Sequence, residues 1–268
     1  MQNFLSNISP LSGTLIGTGF TYLVTLIGAA TVFFFKDVNK KVMDLCLGFG
    51  AGVMLAASFW SLLSPAIELS IELNRSGWIT PSIGFVTGGI FVMLSDIILS
   101  KITDKHFTES KKSSSFKRSV LLVLAVTIHN IPEGLSVGVA FGSITLGLEN
   151  ASVTSAMMIA LGIGLQNLPE GACVALPLKR EGYSRGKSFF YGQLSGMVEP
   201  LAGLLGVMLA LSMRAMLPFL LSFSAGAMVA VVASELIPTS AMSDKQLCTS
   251  GVIFGFVVMM VLDVALGG

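Results

Sequence analysis

Residues 119–144 read SVLLVLAVTIHNIPEGLSVGVAFGSI, and this run alone settles the class of architecture. It holds one charged side chain, Glu133, and no Lys or Arg. Coiled as a helix at 1.5 Å per residue it reaches about 39 Å, enough to cross a hydrocarbon core of about 30 Å. Its apolar residues are continuous and do not alternate at every second position, which argues against a barrel strand. Seven more runs of this kind flank it, at approximately 11–35, 42–67, 80–100, 151–178, 188–212, 216–238 and 247–266. The expectation is an all-α integral membrane protein with eight transmembrane helices, forming a single transmembrane transport domain over 1–268. The stretch 101–118 carries Lys101, Lys105, Lys111, Lys112, Lys117 and Arg118 around a Ser triplet and reads as a flexible cytoplasmic loop.

Composition leads to the same place. Of 268 residues, 53% are hydrophobic and 12% charged, with a mean hydropathy of +0.83. A soluble domain averages about 25% charged. The apolar excess needs a lipid bilayer, so soluble enzymes and DNA-binding modules are excluded, and the net charge of +1 points to no nucleic-acid partner. Cys46, Cys173 and Cys248 lie far apart in sequence, which favours neither a disulfide framework nor a C-x-x-C thiolate site. The first ten residues lack Lys and Arg, so the first apolar run is expected to remain as a span rather than leave as a signal peptide.

The basic residues orient the spans. Lys36, Lys40 and Lys41, the six of 101–118, then Lys179, Arg180, Arg185 and Lys187, and finally Lys245 fall in loops of one side, whereas only Arg75 and Arg214 fall on the other. Basic loops stay cytoplasmic. A multi-pass protein with both termini extracytoplasmic follows, and the compact chain suggests a bacterial inner membrane.

Polar residues interrupt the fourth and fifth runs in the same way. His129-Asn130-Ile131-Pro132-Glu133-Gly134 is echoed by Gln166-Asn167-Leu168-Pro169-Glu170-Gly171, and Glu199-Pro200 lies in the sixth. A charged side chain at mid-bilayer costs roughly 2.5–3.5 kcal/mol on insertion scales. No Lys or Arg inside a span offsets these three carboxylates, so protons or a cation must. His129 and Glu133 are four apart and share a helix face, with Asn130 on its edge; Gln166, Asn167 and Glu170 repeat the pattern. Each proline removes an N–H and crowds the carbonyl four residues back, at Ile128 and Leu165, which predicts kinked helices with carbonyls turned toward a cavity. Imidazole, carboxylate and amide oxygen form a set suited to Zn2+, and also to Fe2+, Mn2+, Cd2+ or Ni2+, while affinity order alone favours Cu2+. Empty, such a site takes up protons that metal binding releases. Asp44, Glu68, Asp96 and Asp263 sit near span ends, where solvation at the interface accounts for them, and Glu235, ahead of Pro238, is either a pathway or a helix-end residue. Gly134, Gly138 and Gly142 form a small-residue stripe suited to sliding or to static packing.

At its two Pro-Glu-Gly motifs the chain resembles the ZIP family of divalent-metal transporters, in its bacterial GufA-like branch. The likeness extends to Gly48-Phe49-Gly50-Ala51-Gly52-Val53-Met54-Leu55-Ala56-Ala57-Ser58 and to Gly192-Gln193-Leu194-Ser195-Gly196-Met197-Val198-Glu199-Pro200. The resemblance implies a 3+2+3 inverted-repeat bundle with spans four and five at its centre, moving Zn2+ toward the cytoplasm by elevator-like alternating access. It implies one ion held by His129, Glu133, Gln166 and Glu170 with Met54 nearby, and a second held by Asn130, Asn167 and Glu199 with Glu133 and Glu170 bridging. Asp44 matches an acidic position near the pathway entrance. Two positions depart from the family pattern: Asn167 stands where many members carry Asp, and Ser234 stands where many carry His before Glu235. The metal is substrate, no organic cofactor is expected, and a homodimer is compatible with this reading. The rivals are a metal-selective channel or a non-transporting membrane metal receptor using the same site; an enzyme is disfavoured because only one His lies inside a span and His-Glu-x-x-His is absent.

Overall fold

The computed structural model describes residues 8–34, 39–106, 111–146, 152–212, 214–242 and 244–266. These form long helices, with no strand among the described residues. We label them α1 (Pro10–Phe34), α2 (Lys40–Glu72), α3 (Ile79–His106), α4 (Lys111–Ser143), α5 (Val153–Arg180), α6 (Arg185–Ser212), α7 (Leu217–Ser240) and α8 (Lys245–Ala265). Each of the eight expected runs is helical to within a few residues. Seven of these helices, all but α4, are long and apolar enough to cross a membrane among the described residues. The chain is therefore a multi-pass membrane protein. The stretch 101–118, expected as a flexible loop, is helical over 101–106 and 111–118, where α3 and α4 run beyond their apolar portions; 107–110 lies outside the described residues. Lysine is a good helix former, so a Lys-rich stretch need not end a helix.

Local chemistry sets several boundaries. Ser152 caps α5, its side chain accepting from the Ser155 N–H, and Asp244 caps α8 through the N–H groups of Gln246 and Leu247. α2 and α7 each contain a π-turn, Ser58–Leu63 and Val232–Leu236, closed by an N–H to the carbonyl five residues back. Each π-turn ends two residues before a proline, Pro65 or Pro238, whose ring would collide with the carbonyl four residues earlier in a regular helix. α6 is interrupted at Met197, next to Gly196, whose carbonyl would accept from the N–H that Pro200 lacks in a regular helix.

Helices pair by close approach of their backbones. α2 lies along α8, α3 along α7, α4 along α6 and α1 along α5. Glycines make the approach: Gly48 and Gly52 sit on α8 while Gly251 and Gly255 sit on α2, and Gly84 and Gly88 meet α7 while Gly226 meets α3. The Gly134, Gly138 and Gly142 stripe packs closely on α6 backbone and side chains, from Glu199 through Gly203 to Ala210. Exchanging α1, α2, α3 and α4 for α6, α7, α8 and α5 carries this set of pairs into itself. Of the seven apolar helices α5 is the most enclosed, with 72% of its apolar window buried against 22% for α3 and α8, so α5 is central and the other two are peripheral.

Candidate metal centre

The two prolines do not break their helices: α4 and α5 run as continuous α-helix through Pro132 and Pro169. The discontinuity falls instead in α6, at Met197, beside Glu199. There the Ser195 carbonyl accepts from Asn130 Nδ2 at 3.0 Å, tying α4 to the interrupted turn.

Two further hydrogen bonds close a triangle of helices. Gln166 Nε2 donates to Glu133 Oε1 at 2.6 Å, joining α5 to α4. Asn167 Nδ2 donates to Glu199 Oε1 at 2.9 Å and to the Thr21 carbonyl at 3.2 Å, joining α5 to α6 and α1. Thr21 Oγ1 donates to the other oxygen of Glu199. Both Glu199 oxygens are thus engaged. Glu133 is close enough to Glu170 and Glu199 for their charges to interact.

The unpartnered atoms are informative. Asn130, Glu133, Gln166 and Asn167 are at most 1% exposed and Glu170 7%. One oxygen of each, Asn130 Oδ1, Glu133 Oε2, Gln166 Oε1, Asn167 Oδ1 and Glu170 Oε2, is buried with no hydrogen-bond partner. An orphaned buried acceptor costs about 1–3 kcal/mol. All three amides spend their N–H2 groups on neighbouring helices, so what remains is acceptors without donors. Such a set suits a cation. Among the described residues no three His, Cys, Asp or Glu side chains gather as a metal cluster. The His129 side chain lies outside the described residues.

Other expected positions vary. Met54 is buried in the apolar core on the same α2 face as Gly50, whose added Cβ would stand 3.4 Å from the Gln166 Cβ. Asp44 is not solvated at an interface: it is 5% exposed, its Oδ2 has no partner, and its carbonyl accepts from Ser240 Oγ. The α2–α7 contact closes over it. Glu235 is half-buried within the α7 π-turn, near Asp96 of α3, and Ser234 is exposed. Asp263 is held by Ser61 Oγ at 2.6 Å. Sequence reading missed Thr21, the α1 residue that grips Glu199. Its signal was there: Thr14, Thr18, Thr21 and Thr25 recur at helical spacing within an apolar span, and all four are buried.

Comparison with known proteins adds an independent line. A family model described as "ZIP Zinc transporter" matches residues 108–263. Zinc transporter ZIP11 of Bos taurus is 39% identical, with 97% of this chain and 98% of that protein covered. Zinc transporter GufA of Myxococcus xanthus is 36% identical over 91% and 94%, and zinc transporter ZupT of Chlorobaculum parvum 37% over 89% and 92%.

Proposed function

Because this chain belongs to the ZIP family of zinc transporters, we propose that it carries Zn2+ across its membrane toward the cytoplasm, with the junction of α4, α5 and α6 as the cargo site. The observation that carries this reading is the set of five buried oxygens without donors on α4 and α5. His129, Glu133, Gln166 and Glu170 hold the ion, with Met54 beside them. The two carboxylates balance one dication, a far cheaper state in low dielectric than two bare charges. A second ion at Asn130, Asn167 and Glu199 has to displace hydrogen bonds that Glu199 already receives from Thr21 and Asn167. The geometry therefore favours one strongly held ion. The same ligands admit Cd2+, Fe2+, Mn2+, Ni2+ and Cu2+.

α4 serves as the eighth span, which places the basic loops in the cytoplasm and both termini outside. The self-mapping set of helix pairs supports the 3+2+3 inverted repeat. Transport follows alternating access, in which α1, α4, α5 and α6 move as one block carrying the ion against a frame of α2, α3, α7 and α8. The support is packing: backbone-to-backbone glycine seams lie within each block, whereas α2–α5 and α4–α7 meet between blocks. In this orientation Asp44, near the Lys40 end of α2, belongs to the exit rather than the entrance. The test is zinc uptake into proteoliposomes by wild type, His129→Ala and Glu170→Gln, checked for monodispersity. Both variants are expected to lose most uptake, and unchanged uptake in both refutes the assignment.

A further inference from the structure

α2 and α5 run antiparallel, and two contacts fix their register. Gly50 faces Gln166, and the Cys173 thiol donates to Met43 Sδ at 3.1 Å. Seven residues back along α2 correspond to seven forward along α5, so Cys46 falls level with Glu170. On α5, Gln166, Glu170 and Cys173 occupy one face at spacings of four and three; on α2, Met54, Gly50, Cys46 and Met43 occupy the facing one. Read toward the Arg180 end of α5, the α5 face changes from amide to carboxylate to thiol. The cysteines are free, and Cys46 and Cys173 are half-buried.

We propose that Met43, Cys46 and Cys173 form a separate sulfur-lined metal subsite, one helical turn beyond Glu170, that takes thiophilic dications such as Zn2+ and Cd2+. That it receives them from the oxygen cage rests on the transport reading above. Two thiols and a thioether make a soft set, which Mn2+ and Mg2+ do not favour. Binding displaces the thiol protons, including the one Cys173 shares with Met43, and these leave with the solvent at the inner mouth. Glu170, whose oxygen is unpartnered, is the ligand from which the ion passes. Since α2 and α5 belong to different blocks, the subsite assembles and comes apart as the blocks slide, so it holds the ion only transiently.

The experiment titrates Cd2+ into purified full-length protein and follows the ultraviolet thiolate-to-metal charge-transfer band, which oxygen and nitrogen ligands do not produce. Zinc uptake is measured in parallel. A saturable band is expected in wild type and in Cys248→Ser, and its loss in Cys46→Ser and Cys173→Ser. In proteoliposomes the paired Cys46→Ser/Cys173→Ser variant is expected to lose Cd2+ uptake severalfold relative to Mn2+ uptake. Absence of the band in wild type, or its persistence in the paired variant, overturns the proposal. Normal zinc uptake without a band sinks the subsite and leaves the transport reading intact; a band without zinc uptake does the reverse.

Discussion

Asn167→Asp sets a new carboxylate beside Glu199, and without metal it is expected to be costly. Asn167 Nδ2 donates at 2.9 Å to Glu199 Oε1 and at 3.2 Å to the Thr21 carbonyl. The substitution replaces that donor by an acceptor of nearly the same shape; the Thr21 carbonyl keeps its bond from Thr25 Oγ1, but Glu199 Oε1 is left without a donor, at about 1–3 kcal/mol before charge repulsion. At about 2–4 °C per kcal/mol for a chain of this size, unfolding of the chelated variant should fall by roughly 2–12 °C. Zinc should recover much of this. The new carboxylate and Glu199 then offer a second dication site, and free ion at about 100 times the dissociation constant contributes about 2.7 kcal/mol. The assay is thermal unfolding in detergent with chelator and with zinc, together with bound zinc per chain by elemental analysis. A chelated variant that melts with wild type would show that the Asn167 donor does not stabilise Glu199 and that the account of this junction is wrong.

Two other substitutions test the packing and the grip on Glu199. A methyl on Gly138 would run into the Gly203 backbone of α6, whereas nothing lies within 4 Å of one on Gly19; Gly138→Ala should cost about 1–3 kcal/mol and Gly19→Ala should gain up to about 1 kcal/mol from helix propensity. Equal shifts in melting temperature would refute the seam. Thr21→Val keeps the shape but removes the hydroxyl that donates to Glu199, so stability should drop by about 1.5–3 kcal/mol, the range for a hydrogen bond to a charged group, with Thr21→Ser retaining wild-type behaviour; a Val variant as stable as wild type removes Thr21 from the site.

The helices of this bundle were legible because each apolar run is long and bounded by charge, and the Pro-Glu-Gly repeat pointed to the polar junction because its residues recur at one-turn spacing. What stayed hidden was pairing between helices. Nothing in the sequence ties Thr21 to Glu199, or Asn130 to the Ser195 carbonyl, since these contacts depend on how separate helices dock. Proline positions alone did not tell where a helix is interrupted: Pro132 and Pro169 lie inside continuous helices, while Pro65 and Pro238 go with π-turns and Pro200 with an interruption. A proline removes the same N–H everywhere, but neighbouring helices govern whether the chain bends, widens or stops. Asp44 looked like an end-of-span residue by count, and only the approach of α7 buries it.

The widened turns in α2 and α7 carry a last implication. Each holds one residue more than the regular ring it replaces, so every side chain after it points about a sixth to a third of a circle away from where a regular helix would aim it. Deleting one residue within Ser58–Leu63 or Val232–Leu236 would let the ring revert to regular form and leave the flanking surfaces aimed as before, whereas a deletion elsewhere in the same helices would swing an entire half-helix off its neighbour. Length variation among related chains should therefore be tolerated at these two places and purged along the rest of α2 and α7.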